Sequence, residues 1–126
     1  MYRSAVIMIG LGLAVAACHP PDQAIYDHAT SCVGIFDVAL KQVPPGEMRK
    51  AGLYSDDVDR TSVEAYEGVL QAGAKLRLTR QAISRDVDQA KKRAWQTYGA
   101  SAGAKPSAKL LNAVRQCMPK PAGPND

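Results

Sequence analysis

Three cysteines, two histidines and a run of aspartates are the residues of this chain with the chemistry to build a site. His28 follows Asp27, where a hydrolytic or metal centre would begin, yet the only other histidine is His19. A zinc centre takes three or four ligands in a closed arrangement. With the cysteines otherwise committed, distant carboxylates of no favourable spacing would have to complete it, so His28 reads as a surface residue on a polar helix face. Asp56, Asp57 and Asp59 invite a calcium reading, but an EF-hand loop needs glycine at its sixth position and glutamate at its twelfth. Counting from Asp57, Ser62 and Gly68 stand there, and the motif fails. The acids read instead as a solvated loop feeding a helix N-terminus. No serine sits in a G-x-S-x-G or S-x-x-K element, and no glycine-rich phosphate loop occurs. The expectation is a chain that is not an enzyme, with no metal and no cofactor.

Cys18 carries the most specific chemistry. It closes the stretch MYRSAVIMIGLGLAVAAC, in which Arg3 precedes an apolar run from Ala5 to about Val15 and then small residues. The run is too short for a membrane-spanning helix, which takes about 20 residues, and has the three-part layout of a secretory signal. It resembles the signal of bacterial lipoproteins, whose lipobox is an aliphatic residue, two small residues and cysteine. Val15-Ala16-Ala17-Cys18 matches that box. The resemblance implies cleavage before Cys18, acyl chains on its sulfur and new amino group, and anchorage in a lipid bilayer. By the sorting rule of enteric bacteria, His19 after the cysteine implies the outer membrane, facing the periplasm.

If Cys18 is acylated, Cys32 and Cys117 remain, an even number suited to an oxidising compartment. Their disulfide would close a loop of about 85 residues and restrict the unfolded chain by roughly 4–5 kcal/mol. Removal of residues 1–17 leaves 109 residues, enough for one small domain. The net charge then falls to about +3, too small an excess to argue for nucleic acid. The one cationic cluster, Lys91-Lys92-Arg93, is expected in the C-terminal half of a helix, where cations suit the dipole.

Four helical stripes organise the rest. Cys18 to Pro21 is a spacer, and Asp22 is the expected cap of a first helix bearing Ile25, Ala29, Cys32, Val33, Phe36, Ala39 and Leu40. Pro44-Pro45-Gly46 ends it. Residues 46–60 read as a loop with a helical turn near Glu47 to Ala51. Thr61-Ser62-Val63-Glu64 fits a capping box, although a start at Ser55 is also allowed. The second stripe is Val63, Tyr66, Val69, Leu70, Gly73 and Leu76, with Gly68 and Gly73 permitting close packing. Thr79 caps a third helix carrying Ile83, Val87, Ala90, Ala94 and Tyr98, with Leu78 and Ile83 as a hydrophobic staple and Gly99 as the stop. Pro106 opens a fourth helix with Leu110, Leu111, Val114, Cys117 and Met118, and residues 119–126 form a frayed tail. No stretch alternates with period two.

The predicted fold is therefore all-α: residues 22–118 as a small antiparallel four-helix bundle, its first and last helices joined by Cys32–Cys117. Most aromatic residues belong to its core or rim. The function expected is that of an envelope lipoprotein serving as a protein-interaction module for another envelope protein. A periplasmic carrier or enzyme with scattered site residues, and a passive tether, are the alternatives. An exposed apolar patch would favour the module, and a deep pocket with converging polar groups would favour the carrier.

Overall fold

Prolines frame the first helix. In the computed structural model, which describes residues 21–101 and 104–120, α1 (Pro21–Gln42) opens on Pro21, whose missing N–H costs a first turn nothing. Asp22 lies inside that first turn rather than capping it, where its charge suits the dipole and stands 3.9 Å from Lys75. Pro44 and Pro45 then force a new start. α2 (Pro45–Lys50) is one short helix that ends as Gly52 turns to φ 78°, a conformation open to glycine. The stretch expected to be a signal, Cys18, His19 and the residues beyond Lys120 lie outside the described residues.

α3 (Ser55–Lys75) begins at Ser55, so the capping box at Thr61 does not form. Thr61 is buried mid-helix and its hydroxyl donates to the Asp57 carbonyl at 2.7 Å. α4 (Arg80–Tyr98) starts as expected, with Thr79 Oγ1 accepting from the Ala82 N–H and Leu78 packed on the cluster that holds Ile83. α5 (Ala108–Cys117) is capped by Ser107, which accepts from the Leu110 N–H at 3.1 Å. Pro106 therefore precedes the helix instead of opening it, because the serine hydroxyl satisfies an orphan donor that proline cannot reach.

α1 is the axis of the bundle. α3 runs antiparallel along one flank, α4 parallel along another, and α5 antiparallel over the C-terminal half. Successive long helices thus alternate in direction, the expected four-helix arrangement. Because α1 has neighbours on several sides, it buries Cys32, Val33, Gly34, Phe36, Val38 and Ala39, more than one stripe can hold. Phe36, Val38, Met48, Val58, Leu110 and Val114 fill the core beneath α2 and α5, while Tyr26, Val69, Ala72, Ile83 and Val87 fill a second core at the opposite end. Cys32 and Cys117 form the expected disulfide, with their Cα atoms 5.6 Å apart.

Two of the expected stripes leave large residues exposed, each for its own reason. Ile25 lies two turns before Cys32 on the same face, but α5 ends level with Cys32, and Ile25 stays 52% exposed. The large residues of the α3 stripe point away from α1 because small ones face it. Gly73 would place a Cβ 2.6 Å from the Ile83 Cδ1 atom, so its lack of a side chain is used. Gly68 has room for one, its Cβ meeting only Ala29 at 3.8 Å. The tightest helix-to-helix approach at a glycine's backbone involves Gly34, where a Cβ would stand 2.5 Å from the Ala90 carbonyl oxygen of α4.

Candidate functional site

α3 and α4 both pack along α1 and scarcely touch each other beyond the turn that joins them. The result is a groove with α1 as its floor. Val33, Asp37 and Leu40 of α1 line it at one end, beside Val63, Tyr66 and Glu67 of α3 and Lys91 of α4. Leu70, Leu78, Arg80 and Ile83 line its other end, again beside Tyr66. The two clefts measure about 390 and 560 Å³ and join at Tyr66.

The α3 wall is amphipathic twice over. Val58, Thr61, Ala65, Val69, Ala72 and Leu76 recur at three- and four-residue spacing and form the packing face. Val63, Tyr66 and Leu70 form a second row, 55%, 45% and 41% exposed. Three of the large exposed hydrophobic residues thus lie on one edge of one helix, which is patterning rather than scatter. The expected second stripe merges these two rows.

The walls differ in charge. α3 carries Asp56, Asp57, Asp59, Glu64 and Glu67 against Arg60 and Lys75. α4 inverts the balance, its arginines and lysines outnumbering Asp86 and Asp88. Glu67 stands on the acidic wall and Lys91 and Arg80 on the basic one; among the described residues none of the three forms an ion pair. Lys91-Lys92-Arg93 sits more than a turn before the end of α4, whose last turn has no cation, so the helix dipole does not account for it.

Two polar ties hold α4 against the floor. The Trp95 indole N–H donates to Asp37 Oδ2 at 2.8 Å, and Lys41 pairs with Asp37 Oδ1 at 3.0 Å. Burial alone would push the Asp37 carboxyl up, but these two partners outweigh it and hold the group below its ordinary range. At the other end the Tyr26 hydroxyl donates to Asp86 Oδ2 at 2.7 Å. Burial first, then the Asp86 carboxylate, push the Tyr26 phenol up to about 12.

The residues singled out for chemistry do not converge. His28 is exposed, with Nε2 3.6 Å from the Cys32 sulfur. Asp57 pairs with Arg60 at 2.8 Å within the first turns of α3. No cluster of three or more histidine, cysteine or acidic residues able to hold a metal occurs among the described residues. No helix among them is long and apolar enough to cross a membrane. Tyr26, Phe36, Trp95 and Tyr98 are buried or half-buried, as expected of most aromatic residues, while Tyr54 and Tyr66 are exposed. Comparison with protein-family models, with curated proteins and with solved structures finds no match to this chain.

Proposed function

We propose that this chain is a non-catalytic lipoprotein of the bacterial cell envelope, a helical module that docks a protein partner in the α3–α4 groove. The anchor rests on Val15-Ala16-Ala17-Cys18. Cysteine parity supports it: Cys32 and Cys117 hold each other, which leaves Cys18, of three, for acylation. Two or three acyl chains anchor stably where one does not, and His19 favours the outer membrane, facing the periplasm.

One observation carries the docking role. Val63, Tyr66 and Leu70 stand in water along an open apolar groove, although the same helix buries a complete face elsewhere. Nothing in the packing of the bundle needs them. Grooves of this form receive amphipathic helices through anchors spaced three and four residues apart. Open clefts suit a protein partner better than a small ligand, which is bound in concave sites that cover most of it.

Metabolic labelling with a fatty acid should mark the wild type and spare Cys18→Ser; an unlabelled wild type overturns the anchor. The paired substitution Val63→Ser and Leu70→Ser should abolish crosslinking to the partner in envelopes while moving stability by no more than about 0.5 kcal/mol per site. Unaltered crosslinking overturns the docking role.

A further inference from the structure

Resting on that reading, we propose that the partner in the groove is a second copy of this chain, related by a two-fold axis running along the groove. The charges select this occupant. A two-fold interface places one surface patch against itself, so the patch must be self-complementary. With the axis along the groove, acidic α3 of each copy lies over basic α4 of the other. Glu67 and Lys91 line the same cleft from opposite walls, so the axis brings Glu67 of one copy opposite Lys91 of its mate, twice. With the axis across the groove, α3 would lie on α3 and set acid against acid. Only the first arrangement is complementary.

The apolar residues agree with the same axis. Val63, Tyr66 and Leu70 edge the groove on the α3 side alone. Rotation about the groove axis brings a second identical row to the bare α4 side, and the two rows share the space above Val33 and Leu40. Tyr66, common to both clefts, falls at the centre of the contact, where aromatic residues dominate binding energy. Neither Glu67 nor Lys91 forms an ion pair within its own chain among the described residues; Lys91 acts on Asp37 of the floor only through space, without a direct contact, so both charges can face the mate.

The test exchanges charges between copies. The full chain, extracted in mild detergent, should sediment as a dimer. Glu67→Lys alone faces lysine with lysine, and Lys91→Glu alone faces glutamate with glutamate. Each should weaken self-association by at least about tenfold, since like charges across an interface cost several kcal/mol. Mixing the two variants restores both opposite-charge contacts, and the dimer should return as a heterodimer of one Glu67→Lys chain and one Lys91→Glu chain. A charge effect confined to one chain cannot be repaired by the other. A monomeric wild type, single variants that associate normally, or a mixture that stays monomeric each overturns the proposal. A photocrosslinking residue at position 66 separates this failure from that of the docking role: an adduct with a different polypeptide sinks only the second copy, and no adduct sinks both.

Discussion

One side of α1 is closed and the other is left open. On one side, α5 is fastened by a disulfide at Cys117, by the Ser107 cap at its start and by Arg115, whose guanidinium donates to the Ala51 carbonyl at 2.7 Å. Lys109 adds a cation over the Tyr98 ring. On the other side, α3 and α4 each grip α1 but leave the space between them open, with apolar side chains on its edge. The closed side concerns folding, and the open side is left over for something else. The disulfide secures a helix of only ten residues, a length at which isolated helices are marginal in water. α3 and α4 are about twice as long and hold without a covalent link, by packing and, for α4, by the ties at Tyr26 and Asp37.

The largest effect should come from breaking the closed side. Reduction, or Cys32→Ala with Cys117→Ala, should cost about 2–5 kcal/mol. Amide exchange should then rise first in α5 and around Phe36 and Met48, while the core at Tyr26 and Ile83 keeps its protection. Equal loss at both ends would show that the two cores are one unit.

Next come the polar ties between α1 and α4. Tyr26 keeps its proton up to about pH 12 in the folded chain, against about 10 when unfolded. Between those values the unfolded state binds fewer protons, so this contribution is present below pH 10 and is lost as pH rises to 12. Solvent reaches the hydroxyl end of this side chain and screens the interaction, so the two-unit difference corresponds to about 1 kcal/mol. Tyr26→Phe should flatten the alkaline limb of the stability profile by that amount. Asp37 has the opposite sign. Its lowered pKa stabilises the fold above the ordinary carboxyl value of 3.8 and ceases to do so as pH falls below it. Asp37→Asn should therefore flatten the acid limb, as read from urea midpoints across pH.

Glycine substitutions sharpen the comparison at comparable amplitude. Gly34→Ala drives a methyl into the backbone of α4, and should cost about 1–3 kcal/mol and widen the groove. Gly68→Ala meets only ordinary contact, and should stabilise by up to about 1 kcal/mol through helix propensity. Thermal unfolding of the two variants should move in opposite directions.

The sequence made the helices, the Thr79 cap and the cysteine pair legible because each rests on local or countable chemistry. Thr79 stands three residues before Ala82, the N–H donor it caps, and two thiols remain when one is assigned to lipid. The face of α3 was harder to read because size and burial disagree there. Tyr66 and Leu70 weigh more in any apolar stripe than Thr61, Ala65 and Ala72, yet close packing on α1 selects the small residues. A count from Ser55, where Val58 joins the small set, separates the two rows. The ties Tyr26–Asp86 and Trp95–Asp37 span 60 and 58 residues, and no local pattern announces them. Gly34 shows its purpose only when α4 is beside it.

That the open side serves docking is the central claim, and photocrosslinking in intact cells tests it most directly. A photoreactive residue at position 66, in the groove, should give a discrete adduct, and one at Gln116, exposed on the closed side, should give none. Adducts from position 116 with none from position 66 would contradict the account.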